Sequence, residues 1–267
     1  MTHDAWVEVR TGALKHNLRE VRRCLAPSVR LFAVVKGNAY GHGLVRASEA
    51  FVAAGADALA VAHLHEAIAL REGGIGAPIL VMTPILPDNA DLAFGTRAEL
   101  AVDSPELVQA IAEAAHEQGV RAKVHLKLDT GMGRLGYPAG TGRAPWREPG
   151  FLPADLEWAG VFSHFARATE KDLGKSERQL RAFLEATDGL RVTRHIANSA
   201  GAFRLPHAQL DAVRIGTLLY GQRPCEGLPK TLDLKPTWTL KARVIALRDL
   251  PAGTEVGYGG ETVLRRP

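Results

Sequence analysis

Two rhythms of apolar and polar positions take turns along this chain. Short apolar runs rich in branched side chains fall at residues 31–35, 58–62, 79–82, 99–102, 122–128, 158–163, 193–197 and 212–215. Between many of them, apolar residues return every three or four positions, as on one face of a helix. The segment 13–25 is an example, with Leu14, Leu18, Val21 and Leu25 sharing a face, Thr11 expected as its cap and Pro27 as its stop. Further helices are predicted over 44–54, 63–71, 88–94 and 176–186. Another opens at Ser104-Pro105-Glu106, with a capping residue, a proline at the first helical position and an acid, and Gly119 ends it. Unbroken apolar strands belong to parallel sheets covered on both faces. Eight strand and helix alternations therefore predict an α/β fold, a (β/α)8 TIM-type barrel over residues 10–230.

The ends of the chain have another character. Residues 6–9 alternate like a short strand, residues 237–247 have strand composition without helical spacing, and a turn is marked at 251–254. Residues 1–9 and 231–267 read together as the beginning of a β-rich second domain. Within the barrel, residues 136–153 are dense in glycine and proline and read as a long surface loop.

Composition narrows the possible functions. The 33 basic and 29 acidic residues leave a net charge of +4, interspersed and without a basic run, so nucleic-acid binding gains no support. The two cysteines, Cys24 and Cys225, lie far apart and outside metal-ligand spacing, which fits a reducing compartment and neither a zinc site nor a disulfide framework. The first ten residues carry charge where a signal peptide needs an apolar core, and no apolar stretch is long enough for a bilayer. The expected location is cytoplasmic.

Candidate chemistry collects where the strands finish. Lys36 follows the first strand and leads into Gly37-Asn38-Ala39-Tyr40-Gly41-His42-Gly43; a lysine held there against apolar neighbours sheds its proton more easily and can serve Schiff-base chemistry. Lys127 and Asp129 end the fifth strand, His164 follows the sixth, Asn198 and Ser199 the seventh, and Arg214 lies in the eighth. In such barrels these ends share one mouth, and phosphate groups tend to sit after the seventh and eighth strands, where Ser199, Gly216 and Thr217 offer hydroxyls and backbone N–H groups. Taken singly, each has a plainer reading. Lys36 could snorkel to water, Ser199 could cap a helix, His164 could be a core histidine, Arg214 could pair with Asp211, Tyr258 could be a turn aromatic, and Asp129 suits loop ordering better than acid–base work.

The run from Lys36 to Gly43 resembles the cofactor-lysine motif of alanine racemases, with Gly37 where that family carries alanine. Residues 127–136, His164-Phe165-Ala166, Asn198-Ser199, Arg214-Ile215-Gly216 and Val256-Gly257-Tyr258-Gly259 resemble further motifs of the same family in the same order. The resemblance implies a racemase that interconverts L- and D-alanine by two bases on a pyridoxal 5'-phosphate aldimine and supplies D-alanine for peptidoglycan. It makes Lys36 the cofactor lysine and the base for the D enantiomer, and Tyr258, donated across a homodimer, the base for the L enantiomer. Tyr40, Ser199, Gly216 and Thr217 would hold the phosphate, with Asn198 beside them, while His164 and Arg214 contact the ring. Arg134 would act on the substrate side, supported by Lys127, which some family members carry carbamylated. The resemblance also implies that most of the family's C-terminal β domain is absent from this sequence.

Two other motifs fall away. Residues 131–136 satisfy G-x-G-x-x-G after a strand, but residues 137–142 cannot start the helix a dinucleotide site needs, and Gly41-His42-Gly43 lacks the ending of a nucleotide P-loop. A carrier that holds the same cofactor without turnover is the alternative function, and Tyr258 separates the two because a carrier has no use for a second base. A cofactor-free Schiff-base aldolase would need neither Arg214 nor paired phosphate-binding segments.

Overall fold

The computed structural model describes residues 3–139 and 144–267, and the chain divides into two compact units, Arg10–Thr237 and Met1–Val9 with Trp238–Pro267. In the larger unit, eight parallel strands follow one another in space: Arg30–Val34, Ala58–Val61, Ile79–Val81, Glu99–Val102, Ala122–Asp129, Leu156–Phe162, Thr193–His195 and Ala212–Ile215. The eighth pairs with the first, Ala212 opposite Arg30 through Ile215 opposite Ala33. Backbone bonds from Asp211 N to Arg194 O (3.2 Å) and Arg214 N to Ala197 O (3.0 Å) join the seventh to the eighth. The ring so formed is the (β/α)8 barrel that the alternation of patterns predicts.

Strand residues two apart face the same side, which explains how the barrel fills. Phe32 with Val34, Ala58 with Ala60, Leu80 and Ala212 form one buried cluster in which large side chains meet small ones. Outside, the helix Thr11–Arg23 buries Leu14, Leu18 and Val21 completely, each contributing about 1.5–3 kcal/mol of apolar transfer. The cap differs from expectation. Thr11 is the first helical residue and Arg10 occupies the cap position without a side-chain capping bond. Asn17, on the buried face, donates to Leu219 O (3.1 Å) and Lys235 O (2.9 Å) and accepts from Lys235 N (2.7 Å), so a buried amide is fully used in tying down the chain that leaves the barrel. The helix Pro105–Glu117 starts as expected, with Ser104 Oγ accepting from Leu107 N at 3.1 Å.

The expected surface loop is partly folded inward. Tyr137–Pro138 pairs with the end of the fifth strand, and Tyr137 and Trp146 are buried edge to face with ring centres 5.8 Å apart. Its aromatic content, rather than its glycine and proline, decides this, because such rings gain most by leaving water. Residues 140–143 of that expected loop lie outside the described residues.

In the smaller unit, Ala5–Val9 pairs antiparallel with Trp238–Ala242, and Glu255–Val256 with Thr262–Val263 on either side of Tyr258–Gly260. The strand expected over 237–247 ends at Ala242, and Val244, Ile245 and Leu247 are exposed. Among the described residues no helix is long and apolar enough to cross a membrane.

Candidate active site

Lys36 stands where the first strand turns over the barrel's C-terminal mouth. The turn is left-handed: φ is +63° at Gly37, 54° at Asn38, 54° at Ala39 and 52° at Tyr40. Each non-glycine residue there costs about 1–2 kcal/mol, so neighbouring groups must hold the turn in place. Glu66, buried at the start of the next-but-one helix, accepts from Gly37 N (2.6 Å) and, through its other oxygen, from Ala62 N (2.8 Å). Asn38 Oδ1 accepts from Leu44 N (2.7 Å), and His42 Nδ1–H donates to Ala39 O (3.0 Å). His42 is thus a clamp on the turn. Lys36 itself is exposed at the rim rather than enclosed by apolar neighbours, because the strand ends at Val34 and the backbone swings outward.

Lys36, Tyr40, His164, Asn198, Ser199, Arg214, Gly216 and Thr217 line a single cavity of about 230 Å³. All eight come from strand ends or the turns behind them, so convergence follows from the barrel. Ser199 Oγ accepts from Gly216 N (3.0 Å), which ties together the loops after the seventh and eighth strands and leaves the serine hydrogen to donate elsewhere. A Cβ on Gly216 would fall 2.5 Å from the Tyr40 hydroxyl, so only glycine lets that phenol approach. Burial raises the Tyr40 pKa, which keeps the hydroxyl a donor. Asn198 Oδ1 accepts from Gly201 N (2.9 Å) and shapes the turn.

Arg214 is the buried cation of the site. Its two terminal nitrogens donate to Ser163 O (2.6 Å), His195 O (3.1 Å), His195 Nδ1 (2.6 Å) and His164 Nδ1 (3.1 Å), and its plane lies 5.1 Å from the centre of the Phe162 ring. Among the described residues no protein acceptor meets Nε, and Arg214 lines the cavity. Asp211 is engaged instead by Arg194. Burial pushes the Arg214 pKa down to about 9, which leaves it charged at neutral pH. Burial and the same guanidinium push His164 down to about 3 and His195 well below the ordinary imidazole range, so both are neutral.

These shifts make stability depend on pH. The unfolded chain protonates these two imidazoles below about pH 6.5 and the folded protein does not, so the unfolded state binds more protons there. Stability is therefore fully present above pH 6.5 and falls by up to about 1.4 kcal/mol for each unit from there toward pH 3 through His164, with His195 acting in the same direction. Urea midpoints at pH 7, 5.5 and 4.5 check this, and a flat series would contradict it.

Lys127 Nζ donates to Met82 O (2.7 Å) and sits 4.8 Å from the Phe162 ring centre; burial, then Arg214 and Arg134, push its pKa down to about 8. It makes no direct bond to Arg134, which is exposed and not a lining residue. Asp129 accepts four backbone N–H groups, from Gly131 to Arg134, at 2.7–3.1 Å, and so orders that loop. Tyr258 belongs to the smaller unit, where its side chain is fully exposed. Glu66, His125 and His195 escape notice in the sequence: each sits in an otherwise ordinary helix or strand, and only their buried partners reveal them.

Residues 9–224 match the family model described as the alanine racemase N-terminal domain. The chain is 41% identical to an alanine racemase of Syntrophobacter fumaroxidans, across 100% of this chain and 72% of that protein. Among solved structures, an alanine racemase from Clostridium difficile 630 superposes with a TM-score of 0.91 at 29% identity, covering 100% of this chain and 72% of that one. An alanine racemase from Bacillus anthracis with bound L-Ala-P superposes with a TM-score of 0.84 at 34% identity, covering 100% and 71%. With the motifs gathered round one cavity and the whole chain accounted for by these relatives, this chain belongs to the alanine racemase family.

Proposed function

We propose that this protein interconverts L- and D-alanine, using pyridoxal 5'-phosphate held in the cavity at the barrel mouth. The observation that carries this reading is the meeting of Lys36, the hydroxyl-bearing Tyr40, Ser199 and Thr217, and Arg214 around one space. The donor set suits the group. Tyr40, Ser199 and Thr217, with Gly216 and Asn198 between them, match a phosphate, Arg214 and His164 a ring nitrogen, and Lys36 an aldehyde. When bound, the cofactor supplies an acceptor for the electron pair left as the α-proton departs.

The remaining roles fall to the chain's own side chains. Lys36 Nζ anchors the cofactor and carries the α-proton on the side of the D enantiomer. Arg214 donates a hydrogen bond but gives up no proton at neutral pH, whereas a carboxylic acid in its place could protonate the ring nitrogen; this favours return of a proton to the α-carbon over other outcomes. Tyr258 of a second copy serves the L enantiomer, which makes the working form a homodimer, and Arg134 steadies the substrate. D-alanine for peptidoglycan is the product this implies.

Purified protein with added cofactor and alanine in deuterated water tests the proposal through the visible absorbance of lysine-bound cofactor and deuterium uptake at the α-carbon. Tyr258→Phe is expected to keep the absorbance and slow uptake from L-alanine by about 100-fold or more. For the second reading, a carrier of the same cofactor, absorbance without uptake is the expected result.

Lys127 is the proposed site of a carbamate. At pH 8 about half of its side chains are neutral amines, able to bond carbon dioxide through nitrogen with release of a proton, beside the cations Arg214 and Arg134. Protein equilibrated with 13C-labelled carbon dioxide should show a carbamate carbonyl resonance that Lys127→Met removes.

A further inference from the structure

Four side chains form one hydrogen-bonded line through the barrel interior. Arg214 Nη1 donates to His195 Nδ1 (2.6 Å), His195 Nε2 lies 3.0 Å from His125 Nδ1, and His125 Nε2 lies 2.7 Å from Glu99 Oε2. The line begins in the eighth strand beside the cavity, passes the last residue of the seventh and the interior of the fifth, and ends at the first residue of the fourth, at the opposite mouth. His125 and His195 are wholly buried. Phe162 stacks on His195 with planes 3° apart, and a Cβ on Gly160 would fall 2.5 Å from the His125 ring, so the space is built for these two imidazoles.

Chemistry fixes every proton in the line. A guanidinium can only donate and a carboxylate only accept. Held between them, each neutral imidazole has a bare Nδ1 and a protonated Nε2, all pointing one way. Burial alone would raise the Glu99 pKa, but the hydrogen bond from His125, with Arg30 and Lys123 nearby, holds it below the usual value, so the end of the line stays a carboxylate.

We propose that Glu99 and His125 are positioning residues for Arg214, acting across the barrel through His195. The carboxylate at the far mouth sets both tautomers, keeps an acceptor in front of Nη1 and thereby holds the guanidinium in place at the cavity wall. The effect on cofactor rests on the proposed function; the order of the protons does not. A donor in place of Glu99 would reverse the line. His125 would turn a bare Nε2 to it, His195 would take its proton at Nδ1, and that N–H would meet Arg214 Nη1–H head on. Glutamine would not reverse it, since its Oε1 still accepts.

The test compares wild type, Glu99→Gln and Glu99→Lys, each labelled with 15N-histidine, by the nitrogen shifts of both imidazoles without cofactor and by absorbance titration with pyridoxal 5'-phosphate. Wild type and Glu99→Gln are expected to show bare Nδ1 and protonated Nε2 at His125 and His195. Glu99→Lys is expected to show protonated Nδ1 at His195 and cofactor affinity lower by about 10- to 100-fold, as for other residues that orient a ligating group. A protonated Nδ1 on His195 in the wild type, or a Glu99→Lys protein with either readout unchanged, overturns the proposal. Should Glu99→Lys not fold, His125→Phe cuts the line with a ring of similar size, and unchanged affinity there overturns it equally. A wild type that binds no cofactor refutes the proposed function, and the imidazole signals then decide the line by themselves.

Discussion

Lys36→Ala is expected to abolish the visible absorbance of lysine-bound cofactor and to lower racemisation by more than about 10³-fold. Two roles are lost together: the amine that anchors the cofactor and the base on one face of the α-carbon. No neighbour can replace it. His164 is held neutral with its Nδ1 occupied by Arg214, and Lys127 is not among the residues that line the cavity. The fold should be unaffected, since the Lys36 side chain is exposed and the turn behind it is held by Glu66, Asn38 and His42; a stability change within about 0.5 kcal/mol is expected. Absorbance, deuterium uptake and a urea transition measured on one preparation separate these effects. Retained absorbance would remove the assignment of Lys36 and the proposed chemistry with it.

Arg214→Lys is the second large effect. The guanidinium serves Ser163 O, His195 O, His195 Nδ1 and His164 Nδ1 from two nitrogens, and Arg214 lines the cavity. An ammonium has three hydrogens on one atom and cannot span those acceptors. At least one buried acceptor is left unmet, at a cost of about 1–3 kcal/mol, and the guanidinium at the cavity wall disappears. Racemisation should fall by about 10²-fold or more, as when a preorganised donor is removed, while the charge at the position is unchanged. A variant with wild-type turnover and stability would show that charge alone, not the fork of donors, is what the site requires.

Much of this molecule could be read from its residues in order. The eight apolar runs needed burial on both faces, and a parallel barrel wrapped in helices provides it; Ser104-Pro105 marked a helix start that the backbone obeys. The eight residues expected around the cofactor lie at strand ends, and a barrel brings strand ends to one mouth whatever the loops between them do. Local pattern failed where a distant partner decides. Thr11 looked like a cap and is inside its helix. The segment after residue 136 looked like surface and buries Tyr137 and Trp146 against the barrel. His42, which in the sequence is only a part of the Lys36 motif, is a clamp on a left-handed turn that glycine content hints at but does not specify.

Class of fold, order of elements and family are all written along the chain, because periodicity and closely spaced motifs are properties of residues that neighbour one another in it. How Arg214 is held is settled only in three dimensions. Its partners His195 and His164 stand 19 and 50 residues away, and Glu99, which ends the line, joins it through a contact between residues 26 apart. Nothing local distinguishes these histidines and this glutamate from ordinary strand residues. Their roles exist only because barrel closure places the eighth strand beside the first and seventh, and a buried donor must then find an acceptor inside.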